Sequence, residues 1–305
     1  MENEDFNFEE IKNKAINHTD YLVRADNVKL IKDDNILSEI LTQEPDFYVR
    51  QIAVANLTSE DILEKVAKND TDYYVRLSAV KRISDKDKLF TIAINQDEDY
   101  YICKEAVMRI ECKETLKKIV NEAFDKDIKS VAISKIDNPI ILSDIARNAR
   151  DFYVRSDAIK HINDLEILKE IATDDEDYYV RAMATQQINE EDCLYAIALN
   201  DTDYYVRKEA TQKIKNNAYL YDIIQRDEDH HVRRAALENL TDKEILKLIA
   251  ENDDNRLLCK IAKRLLEEMQ NIEVNDAPAE VSDNEDDIIS QEEEKTAEDN
   301  ESKDE

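Results

Sequence analysis

A short phrase returns along this chain at an almost fixed interval: an acidic residue, two mostly aromatic residues, Val or Ile, and usually Arg, as in DFYVR at 46–50 and DYYVR at 72–76. With the aliphatic residue as anchor, the copies stand at Val23, Val49, Val75, Ile102, Ile128, Val154, Val180, Val206, Val232 and Leu258. Every interval is 26 residues except that from Val75 to Ile102, which is 27. Ten copies in register predict an array of one supersecondary unit, in which no copy buries its apolar face alone and each is completed by its neighbours.

Four residues past the anchor stands alanine, at Ala53, Ala79, Ala106, Ala132, Ala158, Ala184, Ala210, Ala236 and Ala262. Eight past it stands a large aliphatic, from Ile31 and Leu57 through Ile214 and Leu240 to Leu266. These positions share one face of an α-helix, and the small residue between two large ones lets a neighbouring helix come close. This is helix B. It begins at Asp20, Asp46, Asp72, Asp99, Asp125, Asp151, Asp177, Asp203 and Asp229, three residues before the anchor, where a carboxylate is suited to accept hydrogen bonds from free amides. A second apolar pattern precedes each copy, such as Ile62, Leu63, Val66 and Ala67, or Ile167, Leu168, Ile171 and Ala172, and predicts a short helix A opened by LTSE, INDLE or LTDKE. Isolated helices shorter than about 12 to 15 residues are marginal in water. Pairing A with B and stacking the pairs must therefore supply the stability. The predicted fold is an all-α, right-handed α-solenoid of about ten 26-residue helical hairpins over residues 1–270.

Composition agrees with this. The chain has no glycine and three prolines, which disfavours primed hairpin turns and phosphate-cradling glycine loops. Its formal charge of -30 repels nucleic acid and anionic membrane faces. No apolar run approaches a membrane span, and MENEDFNFEE lacks the features of a signal peptide, so a cytoplasmic location is the expectation. Residues 271–305 carry 15 acidic and 2 basic residues without an aromatic and read as an acidic disordered tail that adds solubility, competes for the solenoid surface or recruits a basic protein. The terminal copies depart from the pattern as caps, with Asn27 in an alanine slot and Asn255 in a capping slot. The fifth copy, DKDIKSVA at 125–132, lacks both aromatics and the Arg, so a bend or a break in surface character is expected there.

The phrase LTSEDILEKVAKNDTDYYVR and its copies resemble HEAT-like repeats, whose second helix commonly opens with Asp, Val and Arg. The short period is also similar to the leucine-rich repeat variant. The resemblance, over residues 10–268, implies a scaffold or adaptor. Related members include auxiliary enzymes, bilin lyase-like or DNA-repair-like, which stand as the alternative. The variant family can hold an iron–sulfur cluster on an N-terminal cysteine group; no cysteine precedes Cys103 here, so that feature is not carried over.

Among candidate sites, the repeated Arg24, Arg50, Arg76, Arg155, Arg181, Arg207 and Arg233 sit about 100° from the anchor, on the apolar arc. A covered guanidinium needs an acceptor, and interhelical Asp residues of the next repeat are suited to provide it. The first aromatic of each copy, Phe47, Tyr73, Tyr100, Phe152, Tyr178 and Tyr204, is expected at the shoulder of the core. The second, Tyr48, Tyr74, Tyr101, Tyr153, Tyr179 and Tyr205, faces away from it, either bracing a loop or forming a stripe for a partner. The residues two past the anchor, Gln51, Leu77, Lys104, Ser156, Lys208 and Arg234, vary and are further partner-contact candidates.

Nucleic-acid binding is disfavoured, and a charged partner would be a basic protein. His18, His161, His230 and His231 show no ligand spacing, and Cys103, Cys112, Cys193 and Cys259 stand too far apart in sequence for a ligand motif. Cys193 falls in the apolar slot of Ile62 and Ile167. No catalytic, cofactor or metal site is assigned. An enzyme would show a polar pocket breaking the repeat at one place, and only 125–140 approaches that description.

Overall fold

The structure is a computed structural model that describes residues 2–275; most of the expected acidic tail lies outside them. Twenty α-helices and no strand occur among the described residues. In chain order the hairpins are α1 (Glu2–Asn17) with α2 (Tyr21–Val28), α3 (Asp34–Gln43) with α4 (Phe47–Asn56), and α5 (Glu60–Asn69) with α6 (Tyr73–Val80). Next come α7 (Lys86–Ala93) with α8 (Tyr100–Arg109), α9 (Lys113–Glu122) with α10 (Lys126–Ser134), and α11 (Pro139–Asn148) with α12 (Phe152–Ile159). The remainder are α13 (Leu165–Asp174) with α14 (Tyr178–Gln187), α15 (Glu191–Asn200) with α16 (Tyr204–Thr211), α17 (Asn217–Arg226) with α18 (His230–Asn239), and α19 (Lys243–Asn252) with α20 (Arg256–Asn275). The chain divides into two compact units, Met1–Ala236 and Leu237 onward.

In the first unit the hairpins pack as a right-handed solenoid. Each B helix lies against its own A helix and against the B helix of the next repeat, from α2 on α4 to α14 on α16. The alanine row explains the close B-to-B packing: Ala53, Ala79, Ala106, Ala132, Ala158, Ala184 and Ala210 are fully buried between neighbours. The anchors from Val49 to Val232 and the aliphatics from Ile31 to Ile214 are buried on the same face. The first anchor, Val23, is only half-buried, as befits the end of an array. In the second unit α19 packs on α20 through Leu246, Ile249, Leu258 and Ala262, all buried. Helix α20 runs to Asn275, past the expected boundary at 270.

The expected caps are in place. Asp46, Asp72 and Asp125 each accept hydrogen bonds from two amides of the following turn, and Asp20, Asp99, Asp151, Asp177 and Asp203 from one. Helix C-termini are satisfied across repeats. Seven residues past the anchor, a long polar side chain donates to carbonyls at the end of the previous B helix: Asn56 to Val28 and Ile31, Arg82 to Leu57, Arg109 to Ile83, Lys135 to Met108, and Lys213 to Ile188. Four carbonyls at each helix end lack an intrahelical partner. A chain without glycine cannot use the left-handed glycine cap, and next-repeat donors fill that role here.

The 27-residue interval is absorbed ahead of α8. With an extra residue in the loop between α7 and α8, the acidic acceptor stands 22 residues from its Arg instead of 20, and Glu98, with its longer side chain, meets Arg76.

Candidate functional site

The repeated Arg forms a ladder through the loops that join each A helix to its B helix. Arg50 donates to Asp70 from Nε and Nη2 at 2.9 Å each, while Nη1 reaches the backbone carbonyls of Glu44 and Pro45 at 3.0 Å. Arg155 with Asp175, Arg181 with Asp201, and Arg207 with Asp227 repeat this arrangement, always across 20 residues. Arg24 meets Glu44 in the same way, and Arg76 meets Glu98 through one bond of 3.1 Å. Each carboxylate also accepts from an amide just ahead of it, two residues on as Asp175 does from Asp177, or one residue on as Glu98 does from Asp99. One guanidinium thus ties its own loop to the next repeat's loop. The hydrogen bond to the carboxylate raises the pKa of Arg50, Arg155, Arg181 and Arg207, each held by its Asp. The expectation of a structural Arg and Asp ladder holds from Arg24 to Arg207, with Glu as the acceptor of Arg24 and Arg76.

Two slots inside the array lack the Arg, and both lack the acceptor as well. Cys103 replaces the first Arg and Ala123 stands 20 residues on; Lys129 replaces the second and Ala149 stands 20 on. A buried carboxylate without its Arg would be an uncompensated charge costing several kcal/mol, on the order of 3 to 5. Removing both partners avoids it. Cys103 is buried, its sulfur donates to the carbonyls of Ile92 and Asn95, and burial raises its pKa to about 12.

The aromatics form a ribbon at the start of the B helices. The first ring of one repeat meets the second ring of the next: Tyr21 and Tyr48 at 6.5 Å, Phe152 and Tyr179 at 6.1 Å, Tyr178 and Tyr205 at 6.2 Å, and Tyr204 and His231 at 5.9 Å between centroids. Within a repeat, Tyr73 meets Tyr74 and Tyr100 meets Tyr101 at 5.2 Å, edge to face. The expected burial of the first row is corrected. Phe47, Tyr178 and Tyr204 are 46–48 % exposed, and Tyr73, Tyr100 and Phe152 are half-buried. The reason is position: this residue is the first of helix B, six residues or nearly two turns before the alanine that enters the core, and its ring packs on the neighbouring ring instead.

In the second row Tyr48, Tyr74, Tyr101 and Tyr153 are 41–63 % exposed, while Tyr179 and Tyr205 are half-buried. No hydrogen bond joins the hydroxyls of Tyr48, Tyr74, Tyr101 and Tyr153 to a described residue. The variable positions differ among themselves. Gln51 donates to the Tyr74 carbonyl and the Ser78 hydroxyl at 3.2 Å, so it braces two repeats. Leu77 is half-buried, Lys104 and Lys208 lie 5.8 and 5.7 Å over the rings of Tyr100 and Tyr205, and Arg234 is exposed. Ser156 is buried and donates to the Tyr153 carbonyl at 3.0 Å.

At the irregular fifth copy, the ribbon and the ladder break together. A partly enclosed cavity of about 180 Å³ opens there between α10, α12 and α14, lined among others by Lys126, Lys129, Ser130, Tyr153, Asp157 and Lys160. It was legible only as an irregularity. Its lining holds no His or Cys, and the Ser156 hydroxyl is engaged with backbone. Beside this copy, Phe124 and Ile140 are 81 % and 80 % exposed.

Among the remaining candidates, Cys112 takes the N-cap slot of α9 and its thiol pKa is lowered, chiefly through Thr115, whereas burial raises that of half-buried Cys193. His230 and His231 lie 3.9 Å apart in the ribbon. Among the described residues no three His, Cys, Asp or Glu side chains come together as a metal site, and no helix is long and apolar enough to cross a membrane.

No family model matches the chain, and no curated protein is similar to it. Among solved structures, it matches a chain described under "Computational Design of Self-Assembling Cyclic Protein Homooligomers", 14 % identical, covering 87 % of this chain and 88 % of that one with a TM-score of 0.10. A likeness so low in superposition bears on neither fold nor function. What stands is a generic helical-hairpin repeat architecture, typical of protein-interaction scaffolds.

Proposed function

We propose that this chain is a non-enzymatic, HEAT-like protein-interaction scaffold whose contact surface is the aromatic ribbon and whose partner is a protein offering a basic segment. The observation that carries the reading is the exposure of Tyr74, Tyr101 and Tyr153, 57–63 % each, without an internal partner for the hydroxyl. Rings held by neighbouring rings lose little freedom on binding, and tyrosine offers both an apolar face and a polar tip, the combination favoured in binding hot spots. Charge selects the partner: the sequence before residue 271 carries a formal -17, and the capping Asp of each repeat stands directly before its pair of rings. Guanidinium and ammonium groups are attracted both to those carboxylates and to tyrosine faces. Both helices of every hairpin are α-helical among the described residues, which favours the HEAT-like resemblance over the leucine-rich repeat variant. A cytoplasmic location and the absence of a cofactor belong to the same proposal.

An array of immobilised 12-residue peptides of mixed composition tests it. Lys- and Arg-containing peptides with aromatics should bind the full chain, with binding weakened by salt and lost when Tyr74, Tyr101 and Tyr153 are replaced by Ala. Binding of acidic or uncharged peptides alone, or binding indifferent to the three substitutions, would overturn the reading.

A further inference from the structure

We infer that the cavity at the fifth repeat is a binding site for a phosphate monoester. Three departures from the repeat create it. Lys126 stands where another repeat has the ring that meets the next tyrosine, so Tyr153 receives no such ring from this slot. Ser130 and Ser156 are small hydroxyl residues at the position that holds Gln51, Leu77, Lys104, Lys208 and Arg234 in other copies and alanine, Ala25 and Ala182, in two, and both line the cavity. Lys129 fills the Arg slot, but Ala149 replaces the acceptor, so no carboxylate draws its ammonium into the ladder and it lines the cavity instead. Three adjacent slots changed together make one concave surface.

The lining is suited to a compact dianion. Lys126 and Lys129 form no ion pair with a described residue, in a chain where 42 basic residues face 72 acidic ones. Lys160 is bound to Asp157 Oδ1 at 3.0 Å, while Asp157 Oδ2 is buried without a hydrogen-bond partner, and Asp127 is the other acidic neighbour. The three ammonium groups exceed the two carboxylates, and the hydroxyls of Ser130, Tyr153 and Tyr179 add neutral donors. A carboxylate has one charge and two oxygens. A phosphoryl group has close to two charges and three terminal oxygens, and it accepts lysine as a point charge without the planar fork an arginine would impose. The rings of Tyr153 and Tyr179 give the organic part of the ester a flat wall. The ester is either a small metabolite or a phosphorylated side chain, since both present the same group.

The test is a titration of the isotope-labelled full chain followed by nuclear magnetic resonance, with inorganic phosphate, phenyl phosphate and a short Ala-rich phosphoserine peptide as probes. Saturable shifts are expected at Ser130, Tyr153, Ser156 and Tyr179, with dissociation constants of about 1 mM or below. Affinity should fall about tenfold or more in the K126Q/K129Q double variant, and also when Ser130→Phe fills the cavity, while Lys81→Gln, a lysine outside the site, changes nothing. Preference for phenyl phosphate over the peptide would assign a small-molecule source, and the reverse a phosphorylated protein. Shifts equal in wild type and K126Q/K129Q, an equal loss in Lys81→Gln, or no saturable shift with any probe would overturn the assignment. Unchanged thermal melting of each variant shows that a loss reflects the site.

Discussion

Replacing Arg155 by Cys, replacing Asp175 by Ala, and combining the two should give costs far from additive. The side chains of Arg155 and Asp175 are 5 % and 6 % exposed, joined by bonds of 2.8 and 2.9 Å, and each also holds loop backbone. Either single change leaves a covered charge without its bidentate partner, Arg155 keeping only the exposed Glu176 at 3.7 Å, and should cost about 3 to 5 kcal/mol. The double variant recreates the pair that the chain itself uses at Cys103 and Ala123, and should cost only about 1 to 2 kcal/mol, the residue being lost loop hydrogen bonds. The coupling energy is then at least about 4 kcal/mol, above the roughly 0.5 to 3 kcal/mol usual for contacting residues, because each single change strands a covered charge. Urea unfolding followed by circular dichroism gives the global cost. Native-state hydrogen exchange at α12 to α14 gives the local one, needed because a repeat array is not obliged to unfold in one step. A double variant as damaged as the sum of its singles, or singles costing under about 0.5 kcal/mol as an exposed pair would, refutes the reasoning.

Ala132→Leu, at a site with no exposed surface between neighbouring B helices, should destabilise by about 1 to 3 kcal/mol through overpacking, measured by the same urea transition; no change would mean that the alanine row does not set the spacing. Under native conditions an alkylating reagent should modify Cys112 first and Cys103 last, because the first thiol has a lowered pKa and the second is buried with its pKa at about 12; mass spectrometry of a time course reads the order. Acid should destabilise the outer ion pairs. The bond to Lys68 holds Glu64 below its ordinary 4.5, and the bond to Lys117 holds Asp144 below 3.8, so their contributions are complete above those values and are lost as pH falls through the lower folded pKa values. The melting temperature should drop below about pH 4.5, and Glu64→Gln should flatten part of that drop, by under about 1 kcal/mol for so accessible a pair; identical profiles would contradict it.

The architecture was legible because one constraint is written ten times. Anchor, alanine and distal aliphatic fix the buried face, and the Asp before each anchor fixes where helix B begins. The ladder was half legible: helical angle placed the Arg on the apolar arc, and its acceptor has a signal of its own, an acid 20 residues on at Glu44, Asp70, Asp175, Asp201 and Asp227, missing where the Arg is missing. The ring burial was misread because an angle measured from the anchor says which way a residue points, but not that the first residue of helix B, two before the buried anchor, lies at the edge of the core. The cavity was legible only as the irregularity at 125–140, for a related reason. It arises from slots of two repeats, 126, 130 and 156, that meet only through stacking, and a small serine signals a cavity only when its neighbour across the stack is small as well.

Site-specific photo-crosslinking in the source cells asks most directly whether the ribbon is the contact surface. A benzophenone side chain would be placed in turn at Tyr74, Tyr101 and Tyr153, and at Lys118 and Thr173 as exposed controls on A helices. The expected result is one shared protein adduct from the three ribbon positions, basic in the crosslinked segment, and none from the controls. Adducts from the controls alone, or no adduct from any ribbon position, would contradict the ribbon as the contact surface.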